Sequence, residues 1–238
     1  MAHPDLGCLS QRLSHAVPSR RVGRGELVEK GLLRISGLND VAALGDRLDV
    51  CGPSLDPIGG EVIGLNDGTL TMLPERPLGG VVTGMQDLQL APLQIAQQQS
   101  WIGRVIDPNG CPLDGRALMP GAQICPIHAT PPLPASRGGF GKRLETGLAA
   151  FITFLPIVEG QRSGLFAGSG VGKSSLLGDL AKGLESDICV IALIGERGRE
   201  LRDFVDRILG PDGMARTIIV AATSDSSPLL RRQCAWTA

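Results

Sequence analysis

From Arg21 to about Pro92 apolar and polar residues alternate with a period of two. Leu33 and Ile35 stand among polar neighbours, and so do Leu48 and Val50. That spacing turns one face of a strand to a core and the other to solvent. Val62–Leu65 and Thr69–Leu73 flank Asn66-Asp67-Gly68, a hairpin signature, because Gly68 can take positive φ without steric cost. Glycine or proline punctuates the stretch about every ten residues, which predicts a small barrel or sandwich. Nothing in it carries a catalytic pattern. Ahead of it, Leu6, Leu9 and Leu13 in Met1–Arg20 are spaced for one stripe of a short helix. Both a frayed tail and a partner-docking helix fit that stripe.

Trp101–Gly115 reads as a strand followed by turns at Asn109-Gly110 and Asp114-Gly115, and Pro126–Pro134 as an extended connector. From Gly160 onward strands and helices alternate. Arg162–Ala167 is expected as a short strand. Val171–Leu184 is expected as a helix with Leu176, Leu177 and Leu180 on one face. The continuous apolar run Ile188–Ile194 suits a parallel strand covered on both sides. Arg199–Leu209 is expected as a helix stopped by Gly210-Pro211, and Thr217–Ala222 as another buried strand. Strand, helix, strand, helix, strand implies right-handed βαβ units.

Composition narrows this picture. The chain has 238 residues, 42% hydrophobic and 20% charged, enough for one large domain or two smaller ones. Aromatic residues make up only 3%, so the core must be built from Leu, Val, Ile and Ala. A net charge of −1 gives no sign of a polyanion-binding surface over the whole molecule and disfavours nucleic acid as the main partner, leaving room only for a local basic patch. Cys8, Cys51, Cys111, Cys125, Cys189 and Cys234 include no CxxC pair and no zinc spacing. They read as reduced thiols, Cys189 as a small buried hydrophobe. The N-terminus has no secretory pattern, and Ile188–Ile194 is far shorter than the ~18 apolar residues of a membrane span.

The chemistry concentrates in Ala167-Gly168-Ser169-Gly170-Val171-Gly172-Lys173-Ser174, with Ser175 next. Glycines let successive backbone N–H groups curl around phosphate oxygens. The helix that follows aims its positive end at the same phosphates. Lys173 supplies a compact cation to the β- and γ-phosphates, and the Ser174 hydroxyl is placed to ligate Mg²⁺. These are the requirements of a phosphate-binding loop for a nucleoside triphosphate, here ATP. Ala167 stands where such loops usually begin with Gly, at the end of the expected strand, where a methyl group is tolerated. After Ile188–Ile194 comes Gly195-Glu196-Arg197-Gly198-Arg199-Glu200. Ligands of open α/β sheets sit beyond the carboxyl ends of the strands. A carboxylate at Glu196 can therefore polarise an attacking water, and Arg197 can hold developing charge or steady Glu196. A charged helix start, favoured by the helix dipole, fits the same residues.

Taken together, the loop, the Ile-Gly-Glu-Arg-Gly-Arg-Glu segment and Ala222-Thr-Ser-Asp-Ser-Ser-Pro-Leu-Leu-Arg-Arg-Gln233 resemble the flagellar protein-export ATPases. These are relatives of the rotary ATP synthase catalytic subunit and of injectisome type III secretion ATPases. Gly103-Arg-Val-Ile-Asp107 with Pro112-Leu-Asp-Gly115 matches a segment shared across that superfamily. The resemblance runs from about Arg21 to the last residue. Ala167-Gly-Ser-Gly170 looks like the export branch, and Ser226–Gln233 leans flagellar. The implied architecture is a variable tail (1–20), a β-barrel domain (21–95) and the N-terminal part of a RecA-like P-loop ATPase domain (96–238). The implied roles are ATP and Mg²⁺ held by 167–175, with Ser174 on the metal, and catalysis by Lys173, Glu196 and Arg197. The implied assembly is a homohexameric ring in the cytoplasm, at the inner-membrane export gate, with a regulatory stator-like subunit and chaperone–cargo complexes. Thr146-Gly147-Leu148 lacks the arginine that the family commonly carries after Thr-Gly.

An injectisome ATPase and a non-catalytic nucleotide-binding subunit remain alternatives, and an RNA-translocating ring is disfavoured by the near-neutral charge. The family's Mg²⁺ aspartate ends a later apolar strand, so Asp225 is not expected to take that part. The chain therefore reads as truncated, with weak or no turnover by itself.

Overall fold

The computed structural model describes residues 21–52, 55–66, 68–81, 84–85, 87–91, 94–119, 121–127, 131–168 and 170–238. The Leu6, Leu9 and Leu13 stripe, Asp67 and Ser169 lie outside the described residues. The chain divides into two compact units, Met1–Pro92 and Leu93–Ala238.

Six antiparallel strands build the first unit: β1 (Val22–Glu29), β2 (Leu32–Ser36), β3 (Arg47–Gly52), β4 (Leu55–Asn66), β5 (Thr69–Pro74) and β6 (Asp87–Ala91). They close into a barrel in the order β1-β2-β5-β4-β3-β6. Of the two architectures that the alternation allowed, the barrel forms, and closure leaves no exposed strand edge. The period-two positions fill its interior: Leu33, Ile35, Leu48, Val50, Ile58, Val62, Leu70 and Met72 are all buried. Asn66 at the end of β4 pairs with Thr69 at the start of β5, and Gly68 just before β5 has φ 82°.

In the second unit β7 (Gln94–Gln97) pairs antiparallel with β9 (Gln123–Pro126). Its central sheet is parallel, in the order β12 (Cys189–Ile194), β13 (Thr217–Ala222), β8 (Val105–Ile106). Short β10 (Arg143–Leu144) and β11 (Ile157–Val158) pair beside helix α1 (Ala149–Thr153). Helix α2 is Lys173–Gly183, α3 Gly198–Asp203, α4 Gly210–Met214 and α5 Pro228–Thr237. On one face of the sheet Val105, Ile191, Leu193, Ile219 and Ala221 pack with Ala181, Phe204 and Leu209. On the other, Ile106, Val220 and Ala222 pack with Ile95, Trp101, Ile127 and Cys234. Among the described residues no helix is long and apolar enough to cross a membrane.

Several expectations are corrected. Central β13 is covered on both faces, as its apolar run requires, but β12 lies at the sheet edge among the described residues. Only Ile191 and Leu193 of β12 are buried, while Val190 and Ile194 stand 46% and 43% exposed. Cys189 is accordingly half-buried rather than buried. Arg162–Ala167 forms no strand: the segment is irregular, and Phe166 is 95% exposed. Its apolar run is only Leu165-Phe166-Ala167, and no described strand offers it a hydrogen-bond ladder. The helix expected at Val171–Leu184 starts at Lys173, and its buried line runs through Gly178 and Ala181, with Leu177 exposed. Gly210-Pro211 does not end the helical path. The path passes from α3 through a π turn at Phe204–Leu209, and Gly210, at φ 65°, restarts it as α4. Proline fits there because the N–H groups of a helix's first turn have no intrahelical partner to lose.

Candidate functional site

The loop before α2 is shaped by two glycines in the left-handed region, Gly170 at φ 77° and Gly172 at φ 92°. Side chains at Gly168, Gly170 or Gly172 would meet no neighbour, so at 170 and 172 glycine answers to conformation, not to space. Gly172 is the N-cap of α2 and supplies no side-chain hydrogen bond, and the first turn contains no acidic residue. Among the described residues, the first N–H groups of α2 therefore receive no side-chain cap, and no acidic residue of the first turn offsets its positive end. Lys173, Ser174 and Ser175 open the helix and are exposed, as are Ala167, Gly168 and Val171. An anion with several acceptor oxygens satisfies such an end.

Glu196 follows β12 at the carboxyl edge of the parallel sheet. Gly195 donates its N–H to the Ala222 carbonyl at 2.7 Å, and the Ser224 N–H donates to the Glu196 carbonyl at 2.9 Å. These bonds tie the loops that leave β12 and β13 and fix the Glu196 backbone. The Glu196 side chain is half-buried. Its carboxyl is pushed above the usual carboxylate range, first by a hydrogen bond to Glu200, then by burial and by the Glu200 charge; Lys173 and Arg197 pull the other way. Glu200 is held below that range, first by the same hydrogen bond. The Lys173 charge thus reaches the Glu196 carboxyl and favours its ionised form.

Arg197 is placed differently. It is the N-cap of α3, its backbone N–H reaches Glu200 Oε2 at 3.5 Å, and its guanidinium donates to Glu200 Oε1 at 3.2 Å. For Arg197 and Glu200 the structure has the helix-start arrangement, while Glu196 stands outside the cap. Asp225 is exposed, and its carboxyl is lowered chiefly by a hydrogen bond from Thr223. The described residues gather no group of three or more His, Cys, Asp or Glu side chains fit for a metal. A Mg²⁺ ion here would take the Ser174 hydroxyl, phosphate oxygens and water, a donor set that suits the ion.

Arg231 was not singled out from the sequence. Its side chain on α5 passes Gly195, where a Cβ would come within van der Waals reach of the Arg231 Cδ, and its Nε is buried without a partner among the described residues. The signal was available: α5 follows a strand of the same sheet, so its first turns flank the carboxyl edge where Glu196 sits.

The family model for the ATP synthase alpha/beta family, nucleotide-binding domain, matches residues 147–238. The chain is 39% identical over 217 residues to a flagellum-specific ATP synthase of Caulobacter vibrioides, covering 90% of this chain and 49% of the relative. It is 40% identical over 230 residues to the protein of the same name from Salmonella typhimurium, covering 90% and 49%. Among solved structures it is similar to the assembled ATPase EscN in complex with its central stalk EscO, from the type III secretion system of enteropathogenic E. coli. There the TM-score is 0.79 and the identity 32%, covering 91% of this chain and 52% of that one. The chain spans about half the length of the curated relatives it matches.

Proposed function

We propose that the chain belongs to the flagellar and type III secretion branch of the ATP synthase alpha/beta family, binds ATP at the N-terminus of α2 and serves ATP hydrolysis that energises export of flagellar proteins. The observation that carries this reading is the uncapped start of α2 behind Gly170 and Gly172, with Lys173 and Ser174 in its first turn and half-buried Glu196 in reach of the Lys173 charge.

The proposed roles follow from placement. Backbone N–H groups of Gly170–Ser175 hold the β- and γ-phosphate oxygens, and Lys173 offsets their charge. Glu196, when ionised, accepts a proton from water as its oxygen attacks the γ-phosphorus; the bond to the β-γ bridging oxygen breaks, leaving ADP and inorganic phosphate. Bound Mg²⁺, held through Ser174, would neutralise phosphate charge. Arg231, whose side chain passes Gly195 and whose Nε has no partner among the described residues, is placed to meet negative charge at the same edge. Arg197 acts through Glu200 rather than on phosphate. EscN is an assembled ATPase with a central stalk; a homohexamer with a stalk- or stator-like partner, a membrane export gate and chaperone–cargo complexes is proposed for this chain by extension, working in the cytoplasm beside the inner membrane.

Nucleotide binding to the purified chain is the deciding experiment. ATP with Mg²⁺ binds the wild type and binds Lys173→Ala at least ~10-fold more weakly. Equal binding by both folded proteins would overturn the reading.

A further inference from the structure

Gly178 lies in the interior of α2, where glycine is a poor helix former, so its presence needs a packing reason. The reason is Ile208: a methyl group on Gly178 would overlap Ile208 Cγ2. Ile208 sits on the π turn that continues α3. A π turn brings positions five apart toward one face, and Phe204 and Leu209 are both buried in the core with Ala181 of α2. The helical path leading back to Glu196 and the helix starting at Lys173 therefore meet backbone to side chain.

The rest of α2 is anchored at its far end. The Arg216 guanidinium donates to the carbonyls of Ala181 at 2.9 Å, Lys182 at 2.7 Å and Ser186 at 3.1 Å. Gly183 presses on the Thr146 carbonyl. By contrast Lys173, Ser174 and Ser175 are exposed. The helix is clamped at its C-terminal end, touched in its middle by Ile208 and open at its phosphate end.

We propose that Gly178 and Ile208 are positioning residues, and that their contact couples the order of the phosphate loop to that of the Glu196 segment. This rests on the ATP-binding reading above. With ATP on the loop, α2 is held along its whole length, and the Ile208 contact passes that restraint to α3 and to Glu196. With the contact altered, the loop still binds ATP but Glu196 no longer responds.

Hydrogen–deuterium exchange on the full chain, with and without Mg-ATP, tests this. In the wild type ATP slows exchange by ~3-fold or more both in 167–177 and in 195–203. In Gly178→Ala the first response persists and the second is lost. Ile208→Ala, which removes the contact without adding bulk, also weakens the second response. The double variant, in which the new methyl group fills the space that Ile208 vacates, restores it. A merely structural contact would change basal exchange and leave the ATP response in 195–203 intact in every variant; that result would overturn the proposal. No response at 167–177 in the wild type would instead sink the ATP-binding reading, whereas a wild-type response at 167–177 without one at 195–203 would sink the coupling alone.

Discussion

The Arg104 guanidinium grips the Asp114 carboxylate with two near-parallel hydrogen bonds, Nε to Oδ2 at 2.5 Å and Nη2 to Oδ1 at 2.8 Å. Arg104 also donates to the Arg116 carbonyl at 2.6 Å, and Arg116 adds a second cation to Asp114 at 3.0 Å. Because the Arg104 carbonyl accepts from the Ile219 N–H at 3.0 Å, this fork ties the 103–117 turns to central strand β13. The Arg-Val-Ile-Asp and Pro-Leu-Asp-Gly segments are thus one structural latch beneath the site.

Asp114→Asn should lower the melting temperature by several degrees, because it leaves Arg104 mostly buried without its counter-charge. The Arg104 hydrogen bond holds the Asp114 carboxyl well below the usual range. A depressed carboxyl contributes stability above its unfolded pKa of about 3.9. That contribution drains away as pH falls toward the folded value. Wild type should therefore lose stability below about pH 4 more steeply than Asp114→Asn. Thermal melts of both proteins from neutral pH into the acid range check this, and parallel curves would count against the latch.

How much of this was legible depended on whether local pattern or distant neighbours decided each element. Strands β2, β3 and β5 could be read because buried and more exposed positions alternate along each, and β13 because Ile218–Ala222 is apolar throughout. The turn into α2 was legible because Gly170 and Gly172 answer to backbone conformation, a local property. Arg162–Ala167 and the outer face of β12 were misjudged because strand pairing and cover come from elsewhere in the chain. The buried line of α2 was misread for the same reason: Leu177 is the more apolar residue, but Gly178 faces Ile208. Nothing in Arg199–Leu209 announces a π turn, which arises from packing Phe204 and Leu209 together.

Ser174→Ala separates metal from phosphate. The backbone cradle at Gly170 and Gly172 and the charge of Lys173 remain, so ADP binding without Mg²⁺ should change by less than ~3-fold, while the gain in ATP affinity on adding Mg²⁺ should fall by ~10-fold. Calorimetric titration with and without the ion checks both halves. An undiminished Mg²⁺ effect would remove Ser174 from the metal.

Glu196→Gln should keep ATP binding and abolish whatever turnover the chain supports, since an amide cannot take the proton from water. In the wild type the Glu200 hydrogen bond, burial and the Glu200 charge raise the Glu196 carboxyl, against Lys173 and Arg197. A general base must be ionised, so turnover should fall as pH drops through a value above the ~4.3 of an ordinary glutamate. Glu200→Ala should move that limb to lower pH, because the hydrogen bond that contributes most to the rise is gone. Phosphate release across the pH range gives the answer, and an unmoved limb would break the link between the two carboxyls.

Cys234 and Cys111 should differ in reactivity by orders of magnitude. The Cys234 thiol lies on the inner side of α5 and donates to the Val220 carbonyl at 3.3 Å. Burial pushes it up to about 11, against ~8.5 for a free thiol. At pH 8 its thiolate fraction is therefore on the order of one in a thousand, and the thiolate is the reactive form. Cys111 is exposed. A maleimide or aromatic disulfide should label Cys111 within minutes and Cys234 only on unfolding, which peptide mass spectrometry resolves. Because a raised thiol pKa contributes stability below its unfolded value and loses it as pH rises through about 11, alkaline unfolding should expose Cys234 in the same transition that releases α5 from β13. Labelling of native Cys234 at the rate of Cys111 would show that α5 does not seal this face of the sheet.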